Sequence, residues 1–262
     1  MRAPHSSAAT VWTPHWPAPV NVRALCTTRV GGVSAGPYDS FNLGDHVGDA
    51  PEAVAANRAR LRQRIGARPV FLRQVHGSAV AVLDAHTPDN TGADGCTTTA
   101  SGVACTIMVA DCLPVLITDM AGRRVAAAHA GWRGLAGGVL AQTYRQFEAE
   151  APVDAKREAI HTIAWLGPCI GPRAFEVGAD VKAAFEAQSA DAAGCFVPAP
   201  AEGKWLADLP ALARRQLLAL GVRAVYGNDG SDAWCTVNNS SQFFSYRRDA
   251  VTGRFAALVW KA

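Results

Sequence analysis

Three apolar, strand-like runs in this chain each lead into a residue that can bind a soft metal ion. The runs span residues 70–75, 105–110 and 124–128. They lead into His76, Cys112 and His129. Functional sites are commonly assembled from strand ends and the loops that follow them. The pattern therefore predicts a fold in which three strands deliver their ends to one site.

The three residues are of the types that zinc prefers. Two neutral imidazoles and one thiolate supply three ligands, and a tetrahedral ion with three protein ligands keeps one position open for water, hydroxide or substrate. Taken singly, each residue has a simpler explanation, because a lone His is usually a hydrogen-bonded core or surface residue and Cys112 could be an inert thiol. The repeated context favours a catalytic zinc site formed by His76, Cys112 and His129.

Strand-like and helix-like segments alternate along the chain. The predicted helices span residues 51–64, 134–150, 179–187 and 209–220. Further strands are predicted at residues 20–26, 160–166, 222–226 and 254–260. This mixture predicts an α/β or α+β fold in which helices lie outside the sheets.

The composition is that of a globular protein with one large domain. The chain has 262 residues, of which 49% are hydrophobic and 18% charged, and no linker-like stretch interrupts its middle. We therefore predict a single catalytic domain over residues 16–262. Residues 1–19 carry four prolines and lack periodicity, which predicts an irregular N-terminal arm over residues 1–15.

Charge and cysteine content narrow the possible partners. A net charge of +3 with scattered arginines does not indicate nucleic-acid binding, although a small anion remains possible. No apolar run approaches the length of a membrane span, and prolines interrupt the N-terminus. Seven cysteines without a Cys-x-x-Cys pair fit a reducing compartment. We expect a cytoplasmic protein without a membrane partner; the sequence leaves its oligomeric state open.

The turn after His129 is rich in glycine, from Gly131 to Gly138. Bare backbone N–H groups at such a strand-to-helix junction could hold an anion, with Arg133 adding further donors. In the structural alternative, these glycines only let a helix pack closely on a sheet. Both interpretations remain open at this point.

Two aspartates lie near the candidate ligands. Asp111 precedes Cys112 and could orient a ligand histidine or act as a general base. Asp94 stands in a Gly-Ala-Asp-Gly segment and is by default a turn aspartate; the alternative is that it faces the site. The sequence does not separate these roles.

A series of short blocks resembles the YfiH family, also called the multicopper-oxidase or laccase-domain family. The blocks cover residues 27–32, 42–49, 57–58, 74–77, 93–95, 110–114, 129–134, 167–171 and 243–249. The resemblance extends from about residue 16 to residue 260. It implies a layered α/β/β/α sandwich with mixed sheets and zinc bound through His76, Cys112 and His129.

The resemblance also implies an activity. Members of the family are described as purine nucleoside phosphorylases that act on adenosine, inosine and 5′-methylthioadenosine, with adenosine deaminase activity, or as polyphenol oxidases. Phosphorolysis requires donors for phosphate near a purine pocket. The candidate substrate- and phosphate-binding residues are Arg29, Asn42, Arg58 and Arg247. The candidate catalytic residues are Asp111, Cys112 and Arg133. Aromatic candidates for stacking on the base, or alternatively for the core, are Trp132, Phe243, Phe244 and Tyr246.

Three alternatives stay open. Copper-dependent polyphenol oxidation follows from the family's older name, but multicopper oxidases use many His-x-His pairs, whereas this chain has seven His and no such pair. A Cys-His amide hydrolase that edits peptidoglycan precursors would use Cys112 as a free thiolate nucleophile. A metal-stabilised scaffold would close the site with a fourth ligand, for which His46 and Cys169 are candidates.

Overall fold

Two β-sheets packed face to face form the centre of the protein, and helices cover both outer faces. The computed structural model describes residues 11–150 and 161–262. The strands are β1 (Val11–Trp12), β2 (Val22–Thr27), β3 (Arg68–Phe71), β4 (Val80–Val82), β5 (Gly95–Thr98), β6 (Val103–Val109), β7 (Leu113–Asp119), β8 (Val125–Ala130), β9 (Thr162–Leu166), β10 (Glu176–Gly178), β11 (Phe196–Pro198), β12 (Lys204–Ala207), β13 (Ala224–Gly227) and β14 (Phe255–Lys261). The α-helices are α1 (Pro51–Ile65), α2 (Trp132–Ala136), α3 (Val139–Ala149), α4 (Ala179–Glu186), α5 (Leu209–Ala219) and α6 (Tyr246–Asp249).

The first large sheet has the strand order β1-β2-β14-β6-β3, and the second has the order β13-β9-β7-β8-β5-β4. Both are mixed: β3 runs parallel to β6, for example, whereas β14 pairs with β6 in the antiparallel direction. Every residue of β6, β7 and β8 is buried. These strands therefore read as continuous apolar runs, as expected for strands covered on both faces.

Alternation along the strands separates three cores. Cys105 and Ile107 of β6 face the second sheet, where they pack in one cluster with Leu116 and Trp165. The outer face of the first sheet packs against α1 through Leu61. The outer face of the second sheet packs against the layer of α2 to α5. This α/β/β/α layering confirms the predicted fold class, and a small sheet of order β10-β12-β11 is added to it.

The helix predicted at residues 134–150 is two helices. The chain turns at Gly137 and Gly138, where Gly138 adopts φ +84°, so α2 ends at Ala136 and α3 begins at Val139. Glycine readily adopts this left-handed conformation, and it carries a low helix propensity. The prediction of one continuous helix was therefore wrong, although its outer limits are close.

Part of the predicted N-terminal arm has regular structure. Val11 and Trp12 pair with β2, and Trp12 is buried against Trp234 and Phe243. The apolar surface of the indole explains why this segment adds a strand to the sheet edge despite the prolines that follow. Residues 1–10 of the arm lie outside the described residues, as do residues 151–160, which include the first position of the strand predicted at residues 160–166.

The run predicted as a strand over residues 70–75 leaves the sheet early. The strand β3 ends at Phe71, and residues 74–77 form a turn that carries His76. In the part of the chain that the structure describes, every helix is too short or too polar to cross a membrane.

Candidate metal centre

The structure brings His76, Cys112 and His129 together at one end of the two packed sheets. Cys112 lies in the connection between β6 and β7, and His129 is the penultimate residue of β8, opposite Pro114 of β7. His76 lies in the turn after β3. One ligand atom from each of the three residues lies within 4.8 Å of the other two, and Cys112 Sγ is 3.7 Å from His76 Nε2.

These distances fit a metal ion. In a tetrahedral zinc site the sulfur and nitrogen ligands lie about 3.6 Å apart, given bond lengths of about 2.3 and 2.1 Å. His129 is buried, Cys112 is half-buried and His76 is exposed. Three ligands that become progressively more exposed leave the remaining coordination position on the solvent side. The residues present therefore fit a three-ligand site with an open position.

The candidate fourth ligands are not part of this cluster. Among the described residues, the group that could hold a metal ion contains His76, Cys112 and His129, with neither His46 nor Cys169. The Cys169 thiol is buried and donates to the carbonyl oxygen of Ile170 at 3.3 Å. A closed scaffold site that uses either residue is therefore not supported.

Asp94 organises two of the three ligands. Its Oδ1 accepts a hydrogen bond from the backbone N–H of His76 at 2.9 Å and lies 2.8 Å from His129 Nδ1. Its Oδ2 accepts from the backbone N–H groups of Val75 and Gly77 at 3.1 and 2.8 Å. Because Nδ1 of His129 faces Asp94, its Nε2 is left for the metal. The role considered for Asp111, orienting a ligand histidine, is filled by Asp94.

Charges in the site favour a thiolate beside an imidazolium in the metal-free protein. Burial raises the pKa of Cys112, but the charge of His129 and hydrogen bonds from both histidines outweigh burial and lower that pKa to about 6. Burial lowers the pKa of His129, whereas the Cys112 thiolate and Asp94 raise it to about 9. The thiolate that a soft metal requires is thus present near neutral pH.

The backbone on either side of the site is strained. His76 and Asp111 adopt φ +62° and +94°, a left-handed conformation that is uncommon for residues other than glycine. Asp94 fixes the first of these turns through three backbone N–H groups. Strain of this kind persists only where the surroundings hold it, and it is concentrated at functional sites.

Close packing accounts for two glycines of the Gly131–Gly138 turn. A Cβ on Gly131 would lie 2.7 Å from Cys112 Sγ and 3.1 Å from His76 Cδ2. A Cβ on Gly134 would lie 3.0 Å from the carbonyl oxygen of Gly77. These contacts favour the structural alternative, in which the glycines let α2 approach the metal ligands.

Asp111 is tied to the C-terminal part of the chain. Its Oδ1 accepts a hydrogen bond from the Thr236 hydroxyl at 2.6 Å, and its Oδ2 accepts from the backbone N–H of Arg247 at 2.6 Å. Arg247 belongs to α6, so Asp111, which directly precedes Cys112, holds α6 close to the candidate metal centre. Its action as a general base remains a prediction.

Two of the predicted phosphate-binding arginines have partners away from the ligands. The Arg29 guanidinium donates to the carbonyl oxygens of Asp39 and Ser240. Arg58 donates to the carbonyl oxygen of Leu43 and forms an ion pair with Asp45, 3.3 Å away. Both guanidinium groups are thereby engaged in holding loops.

Asn42, Arg133 and Arg247 occupy three different environments. Asn42 is buried, and its amide bonds to Gly44 and Asp49 and accepts from the backbone N–H of Arg254. Arg133 is exposed and lies over the Trp132 ring, 4.4 Å from its centroid. Arg247 is exposed, and its guanidinium donates to the carbonyl oxygen of Glu176 at 3.2 Å. Of these three, Arg247 is joined to Asp111 directly.

The aromatic candidates divide in the same way. Phe243 and Phe244 are completely buried and belong to the core between the sheets. Tyr246 is 60% exposed and stands at the start of α6, beside Arg247. Trp132 is half-buried against the helical layer. Tyr246 is therefore the aromatic candidate that offers a free ring near Asp111.

Asp94 has a larger role in the site than its place in a Gly-Ala-Asp-Gly turn indicated. Its position beside a buried strand was a sequence signal for that role. Asp94 directly precedes the fully buried strand β5, and a carboxylate at the edge of a buried strand requires donors from elsewhere in the fold. Which donors these are depends on the approach of the residue 74–77 turn, which is distant in sequence.

This combination of two packed sheets, outer helices and a candidate His-Cys-His metal site with an open side defines a class of α/β/β/α proteins. A family model described as multi-copper polyphenol oxidoreductase laccase matches residues 23–262. The chain belongs to that family, which includes proteins named YfiH.

Curated relatives and solved structures agree with this assignment. A Pseudomonas aeruginosa protein named purine nucleoside phosphorylase PA4543 is 52% identical over 249 residues, which cover 95% of this chain and 97% of the relative. The Escherichia coli protein named purine nucleoside phosphorylase YfiH is 47% identical and covers 94% of this chain and 97% of its own length. The crystal structure of Neisseria meningitidis protein NMB0706 matches with a TM-score of 0.88 and 48% identity, covering 97% of this chain and 99% of that chain.

Proposed function

We propose that this protein is a zinc-dependent purine nucleoside phosphorylase that acts on adenosine, inosine and 5′-methylthioadenosine and also deaminates adenosine. The observation that carries the proposal is the His76, Cys112 and His129 site, whose ligand atoms lie within 4.8 Å of one another and whose third ligand is exposed. The names of the relatives support phosphorolysis as the reaction. The donor set of two imidazoles and one thiolate supports zinc.

The two reactions make different demands on the site. In phosphorolysis a phosphate oxygen forms a bond to the anomeric carbon of the ribose. The bond from that carbon to the purine nitrogen breaks, and the purine leaves with the electron pair and takes up a proton. In deamination water adds to the six-position carbon of adenine and ammonia leaves. When bound, zinc would supply a Lewis acid at the open position of the site.

The protein's own residues position and enclose these reactants. Asp94 holds the His129 ring and the turn of His76 in place, which fixes the direction of the open position. Asp111 holds α6 and so keeps the exposed Tyr246 ring beside the site, where it can stack on a purine. Arg247, in the same turn, presents a cation to an anionic reactant.

The test is product analysis on zinc-loaded protein. Adenosine is incubated with and without phosphate, and the products are separated by chromatography. The proposal expects adenine and ribose 1-phosphate only when phosphate is present, and inosine from the deaminase reaction in either case. Zinc-loaded protein that leaves adenosine unchanged under both conditions would refute the proposed function.

A Cys-His amide hydrolase is the second candidate, because Cys112 Sγ lies 3.7 Å from His76 Nε2 and the pKa of Cys112 is lowered to about 6. Such an enzyme needs a free thiolate, so it would be active without metal and lose activity on alkylation of Cys112. Activity on an amide of a peptidoglycan precursor that persists after chelation would favour it over the phosphorylase.

Copper-dependent oxidation of polyphenols is less well supported by the ligands. Among the described residues, the ligand cluster contains two of the seven His in the chain. A multinuclear copper centre needs many more imidazoles. Copper bound by the same three residues would form a single-ion site, and oxygen uptake with a phenol substrate would reveal it.

A further inference from the structure

Arg254 enters the region of the metal ligands from the last strand of the first sheet. It directly precedes β14, and Phe255, the first residue of β14, pairs with Val109, the last residue of β6. Because this pairing is antiparallel, Arg254 stands beside the residues that lead to Asp111 and Cys112. A single arginine before an apolar strand carries no special pattern in the sequence, so only the fold reveals this position.

The guanidinium of Arg254 is only partly engaged. Its NH1 nitrogen donates to the carbonyl oxygens of Thr252 and Gly253 at 3.1 and 3.0 Å. Among the described residues, no carboxylate lies within ion-pair distance of it, and its Nε and NH2 groups have no hydrogen-bond acceptor. By contrast, Arg58 forms an ion pair with Asp45. Arg254 therefore keeps donors available on a side chain that is already oriented.

Two neighbours hold Arg254 in place. Asn42 Oδ1 accepts a hydrogen bond from the backbone N–H of Arg254 at 2.8 Å. The side-chain stem packs on Gly44, where an added Cβ would lie 2.8 Å from Arg254 Cγ. The pKa of the guanidinium is lowered by burial, and the charges of Cys112, Asp111 and Tyr246 act against that shift. The guanidinium therefore lies near the candidate ligand Cys112, near Asp111 and near Tyr246 of α6.

We propose that Arg254 binds the phosphate co-substrate beside the metal centre, through the donors of its guanidinium that the protein leaves free. The planar fork of arginine matches two oxygens of a phosphate, and such charge-assisted bonds are among the strong ones. The inference rests on the proposed function, which requires an oxyanion at this site. It also gives Asn42, predicted as a substrate-binding residue, an indirect role as the residue that anchors Arg254.

The test measures phosphate binding to zinc-loaded protein by calorimetry and then the kinetics of adenosine phosphorolysis. Arg254→Gln should weaken binding of inorganic phosphate about tenfold or more, because it removes a charged donor. Its KM for phosphate should rise while its KM for adenosine and its zinc content stay close to those of the unaltered protein. Arg254→Lys keeps the charge but lacks the planar guanidinium. Its affinity for phosphate should lie between those of Arg254→Gln and the unaltered protein.

Arg145→Gln is the matched control, because it makes the same change of charge on the exposed side of α3. Unchanged phosphate binding by Arg254→Gln would overturn the proposal, as would an unaltered protein that binds no phosphate. Phosphate binding that depends on Arg254, in a protein that does not cleave adenosine, would support the phosphate site and refute the proposed phosphorylase activity. The two failures are thereby distinguishable.

Discussion

Two aspartates flank the candidate metal centre, and their surroundings differ. Asp94 is completely buried and faces three backbone N–H groups and the ring of a ligand histidine. Asp111 is half-buried and faces one hydroxyl and one backbone N–H, both from the C-terminal part of the chain. The same side chain thus supports the metal ligands at one position and an exposed helical turn at the other.

The two positions also differ in whether an asparagine amide could replace the carboxylate without losing its hydrogen bonds. An amide at position 94 would direct its NH2 group against N–H donors in either orientation. At position 111 the amide oxygen can face the Arg247 N–H while the Thr236 hydroxyl rotates to accept from the NH2 group. We therefore expect position 94 to control metal binding and position 111 to control substrate binding.

The largest expected effect comes from a ligand. Cys112→Ala removes the single sulfur of the cluster, so metal content should fall from about one ion per chain to about none, with loss of phosphorolysis. Cys195→Ala, at a buried thiol of the outer helical layer, is the control and should leave metal content unchanged. Full metal occupancy in Cys112→Ala would mean that the ligand assignment is wrong.

The charge state of Cys112 provides the next test. In metal-free protein its lowered pKa keeps the thiolate above about pH 6, so the rate of alkylation by iodoacetamide should fall as the pH drops through about 6. The other six cysteines are buried, so peptide mapping can isolate this reaction. Asp94→Asn should move the midpoint upwards, because it withdraws support for the imidazolium of His129, whereas Asp111→Asn should not. A midpoint near the ordinary value of 9 would contradict the account.

Asp94→Asn should weaken metal binding by about ten- to a hundredfold, the range seen when a partner of a ligand histidine is lost. The measurement is a competition titration with a chromogenic chelator. Asp111→Asn is the control, since it makes the same chemical change at the residue that directly precedes Cys112. Equal metal affinity in the two variants would remove the distinction between the aspartates.

Asp111→Gly should have the smallest effect on metal affinity but should raise the KM for the substrate. Glycine tolerates the φ of +94° at this position while removing both hydrogen bonds to the C-terminal segment. We expect the KM for adenosine to rise by about three- to tenfold, a loss of about 1 kcal/mol of binding free energy, because α6 is then held less firmly beside the site. Amide hydrogen exchange at Arg247 should quicken in parallel.

Asp111→Asn distinguishes positioning from proton transfer. If Asp111 positions α6, the amide restores most of the KM and the protection of the Arg247 amide. If Asp111 is the general base that the sequence suggested, Asp111→Asn should lose kcat as severely as Asp111→Gly, and its pH profile should change.

Local sequence signals predicted most of the fold. The helix α1 begins with Pro51 and ends at Ile65, just before Gly66, which adopts φ +64°. Proline at a helix start and glycine after its end are strong local signals. The helix α5 likewise follows Asp208, whose side chain caps it by accepting from the Ala211 N–H. The break between α2 and α3 and the pairing of Val11 and Trp12 depend on packing, which local patterns do not report.

The ligand types could be predicted because His76, Cys112 and His129 stand in similar strand-end contexts. Their supports could not, because each support is a contact between segments distant in sequence. Asp94 meets the turn of His76, and Asp111 meets Thr236 and Arg247, 125 and 136 positions away. Arg29 and Arg58 have the chemistry of phosphate ligands, but only the fold reveals that carbonyl groups and Asp45 engage them.

The coordination of any metal in the purified protein tests the proposed zinc site most directly. X-ray absorption spectroscopy at the zinc edge of the purified protein gives the number and type of ligands. We predict one sulfur at about 2.3 Å and three nitrogen or oxygen ligands at about 2.0–2.1 Å, one of them exchangeable with solvent or phosphate. Two sulfurs, or a zinc shell without sulfur, would contradict a three-ligand site formed by His76, Cys112 and His129.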